Sequence, residues 1–194
     1  MRVIGGAAKG RRLLAPKGEA VRPTADRVKE SLFNILPGDF SGMKVLDLFA
    51  GTGNLSIEAL SRGADHAVLI DASERSVAVI RENLRRLSLA PTAGVWVAPV
   101  GRSLRILARR QESFDIIFLD PPYDQGLANR SVAVIAQGNL LKKPGTIVVE
   151  HSARETLQQR YDSLKLHDER RYGDTLLSFY KHPAPMDLPR EDGL

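Results

Sequence analysis

Apolar positions along this chain fall into two alternating kinds of run. Short, nearly continuous ones such as Val45-Leu46-Asp47-Leu48, Ala67-Val68-Leu69-Ile70 and Ile116-Ile117-Phe118-Leu119 have the length of strands buried on both faces. Between them lie stretches whose apolar residues recur three and four apart, the helical period. The pattern predicts strands at 44–49, 67–71, 94–97, 114–119 and 146–150. The intervening helices fall at 55–62, from a Ser73 cap to about 87, at 104–110 and at 127–137. Residues 164–172 and 175–180 alternate apolar and polar side chains around Gly173-Asp174, which predicts an antiparallel hairpin. Ahead of these, Arg2-Val3-Ile4 and Arg12-Leu13-Leu14 pattern as a small hairpin. Thr24 is placed to cap a helix whose stripe is Val28, Leu32, Phe33, Ile35 and Leu36.

Strands joined by crossover helices imply an α/β fold with a parallel sheet, helices on both faces and ligands at the carboxyl ends of the strands. The expected organisation is a basic N-terminal hairpin and helix over 1–36, a catalytic sheet domain over 37–182, and a disordered tail over 183–194 with Pro183, Pro185 and Pro189 close together.

Charge sharpens this division. Residues 1–36 carry eight basic side chains against three acidic ones, whereas 37–194 carry 20 of each sign, so the whole net charge of +5 sits at the N-terminus. A segment so biased is suited to a polyanion, and Lys9, Arg11, Arg12, Arg22, Arg27 and Lys29 are the candidate RNA contacts. No apolar run approaches the roughly 20 residues of a membrane span, no secretory pattern opens the chain and there is no cysteine. A cytoplasmic, monomeric protein is expected. His66, His151, His167 and His182 have no ligand-like spacing, and no metal is expected.

Three loops carry the candidate chemistry. In Asp47-Leu48-Phe49-Ala50-Gly51-Thr52-Gly53-Asn54, two glycines let the backbone turn tightly against a ligand at a helix N-terminus. A dinucleotide site wants Gly or Ala three positions after Gly53, where this chain has Ser56, and an acid at the strand end repels a pyrophosphate. Asp47 suits the ammonium of an amino-acid moiety, which favours S-adenosylmethionine over a nicotinamide cofactor. Asp71 closes the second strand ahead of Ala72, and its distance along the chain from Gly51 is the one at which an acid reaches ribose hydroxyls in such folds. Asp120-Pro121-Pro122-Tyr123 follows the buried strand 114–119. Its prolines fix the backbone so that the Asp120 carboxylate and the Pro121 carbonyl converge on one amine, and Tyr123 offers a stacking face. Two acceptors on an aromatic amine orient it and favour the pyramidal nitrogen that attacks a sulfonium methyl. Asp120 or water then takes the proton.

With these loops in this order, the chain resembles the bacterial 16S ribosomal RNA guanine-N2 methyltransferases of the RsmD family. The resemblance runs from residue 2 to about 181 through Ile4-Gly5-Gly6, Gly10-Arg11, the block 22–36, the loop 47–54 with 58–64, Asp120–Tyr123 and 172–175. It implies the Rossmann-like, seven-stranded class I S-adenosylmethionine-dependent methyltransferase fold with a small basic N-terminal extension. It also implies methylation of one guanine, nucleotide 966, in an assembled or nearly assembled small subunit. Arg22, Thr24 and Arg27 are implied to close over the cofactor or the base. Where such enzymes offer Asp or Asn to the adenine, this chain has Pro99-Val100-Gly101-Arg102-Ser103, which leaves backbone groups or Ser103 for that contact. A DNA or RNA adenine-N6 methyltransferase shares the loops. It normally adds a recognition module, for which the chain after Asp120, occupied in finishing the sheet, leaves no room. A ribosome-assembly factor without turnover is the non-enzymatic alternative, and its mark would be a damaged 120–123 loop.

Overall fold

A computed structural model describes residues 1–15, 23–123 and 125–183, together with every side chain in those ranges except those of 23–26. The expectations placed on Arg22, on the Thr24 side chain and on the tail lie outside the described residues.

Elements follow in the order α1 (Pro23–Ile35), β1 (Lys44–Leu48), α2 (Asn54–Ser61), β2 (His66–Asp71), α3 (Glu74–Arg86), β3 (Ala93–Val97) and α4 (Val100–Arg109). They continue with β4 (Phe114–Leu119), α5 (Leu127–Gln137), β5 (Leu141–Ser152), β6 (Arg160–Tyr161), β7 (Leu164–Tyr172) and β8 (Thr175–Lys181). Among the described residues the strands form one eight-stranded sheet in the order β3-β2-β1-β4-β5-β8-β7-β6, parallel as far as β5 and antiparallel beyond it. The order reverses between β1 and β4, so the crevice above their carboxyl ends is where this topology receives a ligand. The sheet has eight strands where seven were expected, because the short β6 pairs with the start of β7.

Both faces of the central strands are covered, which is why β1, β2 and β4 are apolar almost without alternation. Val45, Ile116, Phe118 and Val148 join the core beneath α1, α2 and α3, while Leu46, Leu48, Ile117, Leu119 and Ile147 join the core beneath α4 and α5. The first core also takes in Val3 and Leu13, so the N-terminal segment packs as part of the body. An antiparallel bridge joins Arg2 to Arg12, with Val3 N–H donating to Arg11 O at 3.0 Å and Gly10 N–H to Val3 O at 2.8 Å. No helix among the described residues is long and apolar enough to cross a membrane.

Two helix starts and one buried position differ from the pattern for local reasons. Helix α1 opens on Pro23, whose fixed φ suits a first helical turn, so Thr24 lies within the helix rather than ahead of it. Of its expected stripe, Val28, Leu32, Phe33 and Leu36 are buried, whereas Ile35 is 42% exposed. Helix α4 starts at Val100 because extended Pro99 serves as its N-cap, which turns the expected 99–103 loop into a first helical turn.

Candidate active site

The loops at the carboxyl ends of β1, β2, β4 and β5 enclose a cleft of about 1830 Å³. Of the expected cofactor residues, Asp47, Phe49, Ala50, Gly51, Asn54, Asp71 and Ala72 line it, and so do Asp120, Pro121, Pro122 and Tyr123. Gly53 and Ser103 do not. Gly53 sits at the N-cap of α2 with φ 76°, and an added Cβ there would come within 3.1 Å of Leu69. Ser103 is fully buried, and its hydroxyl donates to the Pro99 carbonyl at 3.2 Å. That bond corrects the expectation that Ser103 reaches an adenine, because the side chain points into the helix and not the cleft. Pro99, Val100 and Gly101, the opening of α4, line the wall instead.

The glycine loop is built to bring backbone close to a ligand. Phe49 and Gly51 both adopt left-handed φ, at 65° and 55°, and Ala50 N–H returns to Ile70 O at 3.0 Å. Gly51 N–H donates to Asp71 Oδ2 and Ser73 N–H to Asp71 Oδ1, each at 2.8 Å. Asp71 is therefore a brace between two loops as well as a part of the wall. Asp47 is 2% exposed and receives Ser56 N–H at 3.3 Å. Burial, aided by the charge on Asp71, pushes its carboxyl up to about 7 against the lowering hydrogen bond from Ser56. A buried acid with that single backbone donor has acceptor capacity left for a cationic ligand group, so the donor set fits an amino-acid ammonium.

Beyond the switch point the site is acidic again. Leu119 pairs with Val149 in the parallel ladder, so Asp120 and Glu150 are the next residues on neighbouring strands and both line the cleft. Asp120 shows surface to the cleft but is crowded by protein on its other sides. That desolvation, then the charges of Glu150 and Asp47, hold its carboxyl well above the usual carboxylate range. Tyr123 donates its hydroxyl to Glu150 Oε1 at 3.1 Å and lies 3.3 Å from Thr175 Oγ1, which fixes the ring in the wall. Burial pushes the Tyr123 hydroxyl up to about 12, with the charges of Glu150 and Asp120 adding to it. Glu150 is also raised, chiefly by burial. It was not among the residues expected from the sequence. The signal that points to it is an acid directly after the apolar run 147–149, as Asp120 directly follows 116–119.

The basic candidates separate. Lys9, Arg11, Arg12 and Arg27 are exposed, and Arg11 also donates to the Arg86 carbonyl at 3.0 Å. Lys29 is a correction. It is 2% exposed, and its Nζ donates to Arg2 O at 2.6 Å and Asn54 Oδ1 at 2.8 Å and pairs with Glu58 at 3.2 Å. Burying a charge requires a partner, and Glu58 supplies one, so Lys29 faces inward to the cofactor loop and not outward to phosphates. Glu58 also accepts Ile4 N–H at 2.9 Å and Gly5 N–H at 2.7 Å, which sews the N-terminal segment onto α2. Gly6 is obligatory beside this seam, since its φ is 71° and a Cβ would fall 1.7 Å from Ser61 O. At the rim, Arg105 and Arg130 are exposed on α4 and α5 and line the cleft mouth.

The sequence profile described as Conserved hypothetical protein 95 matches residues 1–181. YlbH of Bacillus subtilis is 40% identical over 181 residues, covering 93% of this chain and 98% of its own. Ribosomal RNA small subunit methyltransferase D of Escherichia coli K12 is 32% identical over 184 residues, covering 95% of this chain and 91% of its own. Among solved structures, the Escherichia coli protein yhhF superposes with a TM-score of 0.80 at 33% identity, covering 95% of this chain and 98% of its own.

Proposed function

The chain belongs to the conserved hypothetical protein 95 family, that of ribosomal RNA small subunit methyltransferase D, and on that premise we propose that it methylates N2 of one guanine in small-subunit rRNA. The methyl donor in this reading is S-adenosylmethionine, which when bound supplies an activated methyl on a positive sulfur. One observation carries the reading. The acid suited to the donor's ammonium, Asp47 on β1, and the acid suited to a base amine, Asp120 just after the adjacent parallel strand β4, line one cleft.

The geometry supports a division of labour. Asp47, Asp71 and the Phe49–Gly51 backbone form the wall that would hold the donor, with Pro99, Val100 and Gly101 opposite as backbone groups for the adenine. Asp120 and the Pro121 carbonyl accept the two N–H groups of a flipped base whose ring rests on Tyr123. The nitrogen lone pair forms the new N–C bond as the C–S bond breaks, and one amine proton leaves. Asp120 is a better acceptor for that proton than an ordinary carboxylate because its affinity for protons is raised. Alignment of the two reactants is the dominant effect, worth about 7–11 kcal/mol when complete.

Recognition falls to Lys9, Arg11, Arg12 and Arg27 on the surface and to the shape of a structured RNA, in the small subunit or its assembly intermediate. Arg22 and Thr24 keep their implied roles over the cofactor or base within this proposal, and the chain is taken to act as a monomer. The test is transfer of a tritiated methyl to small subunits lacking the modification, followed by nucleoside analysis. N2-methylguanosine is the expected product. N6-methyladenosine would move the assignment to an adenine enzyme, and no transfer would favour an assembly factor.

A further inference from the structure

The mechanism above uses Asp120 and leaves a second acid in the same cleft without a task. Glu150 lies near the carboxyl end of β5 beside Asp120, and among the described residues it receives one hydrogen bond, from Tyr123 to Oε1. The described ion pairs include neither carboxylate. Two acids therefore stand side by side, with no ion pair to either among the described residues, where an RNA base would enter. Such an arrangement is costly when the cleft is empty and favourable when a row of N–H donors fills it.

The two purines differ in this respect. Guanine carries N1–H next to its N2 amine, so the edge that meets the protein presents only donors there. Adenine carries a bare N1 lone pair next to its N6 amine, which a carboxylate repels. We propose that Glu150 is the base-selecting residue of this site, accepting guanine N1–H while Asp120 accepts the adjacent amine. The inference rests on the guanine-N2 reading and deepens it. Tyr123 has a second role in this arrangement, because its hydroxyl holds Glu150 Oε1 and leaves the other oxygen to the base. Desolvation raises the proton affinity of Glu150, and N–H donors from a base would favour its carboxylate form.

The experiment measures kcat and KM for methyl transfer to unmodified small subunits with the wild type, Glu150→Gln, Glu150→Leu, Tyr123→Phe and the Glu150→Leu/Tyr123→Phe pair, alongside calorimetric binding of the methyl donor and thermal melting. Since a hydrogen bond to a charged group is at stake, Glu150→Leu is expected to lower kcat about 100-fold and Glu150→Gln, which keeps a neutral acceptor, about 10-fold. KM for the subunit, set by phosphate contacts, and the donor Kd stay within about 3-fold. Tyr123→Phe, which keeps the ring, is expected to lose less than about 5-fold. If Glu150 only anchors Tyr123, then Tyr123→Phe and Glu150→Leu will be equally impaired and their combination no worse, and the inference is overturned. It is also overturned if both Glu150 variants turn over within about 3-fold of the wild type. Glu150→Gln, nearly isosteric, keeps the test readable if Glu150→Leu fails to fold. A wild type that makes no N2-methylguanosine in the same assay overturns the functional proposal itself and this inference with it.

Discussion

Gly51 donates its backbone N–H to Asp71 Oδ2 at 2.8 Å, so the acid at the end of β2 holds the glycine loop at the end of β1 in shape. Its other oxygen holds Ser73 at the start of α3 in the same way. Substitution therefore removes a wall group and loosens the wall around it. Asp71→Ala is expected to weaken methyl-donor binding about 10- to 100-fold, the range for a lost hydrogen bond to a charged group. Asp71→Asn, which keeps one acceptor, should lie between. Calorimetric titration gives the affinities, and an unchanged Kd for Asp71→Ala contradicts the assignment.

The buried pair of Lys29 and Glu58 yields a stability prediction. Lys29→Met leaves Glu58 charged in a fully buried position and removes the bond to Asn54 in the cofactor loop. Loss of one partner from a buried pair costs about 3–5 kcal/mol, so urea unfolding should show a large fall in midpoint. A variant as stable as the wild type would mean that Glu58 is satisfied by Arg62, Ile4 and Gly5 alone.

Asp47 makes the protein sensitive to pH. Its carboxyl is raised from 3.8 to about 7, so the folded protein binds this proton more tightly than the unfolded chain does. Its contribution to stability is thus complete below about pH 3.8 and is lost as the pH climbs towards about 7. A cationic ligand group has the opposite demand, since it needs the carboxylate. Methyl-donor affinity should rise from about pH 5.5 to about 7.5 and level off, with a proton released on binding near about pH 6. Calorimetry in buffers of different ionisation enthalpy measures that release, and flat affinity with no release would remove Asp47 from the ammonium site.

Arg11 and Arg12 are exposed, in contrast to Lys29, and carry the polyanion reading. Replacing each with Gln should weaken binding to the small subunit and shrink the slope of log K against log salt by about 0.7–0.9 for each phosphate no longer neutralised. Unchanged slopes would place the RNA on another face.

Most of the sheet was legible because strands buried on both faces leave apolar runs that few other structures produce, as 45–48 and 116–119 do. The acids at or near the ends of such runs, Asp47, Asp71 and Asp120, could be placed for the same reason. What the sequence withheld was partnership across distance. The charge of Lys29 reads as solvent-facing until Glu58, on the next helix, is seen beside it. Ser103 reads as a cleft hydroxyl until Pro99 starts α4 early and turns that side chain inward. Glu150 lay within a predicted strand, and only the pairing of β4 with β5 shows that it stands next to Asp120.

The central claim is that Asp120 holds a nucleobase amine against the methyl donor. Single-turnover transfer to unmodified small subunits by Asp120→Ala, with donor affinity measured on the same preparation, tests it most directly. The account predicts a donor Kd close to that of the wild type and a transfer rate at least about 100-fold lower. Transfer at the wild-type rate with the donor still bound would contradict it.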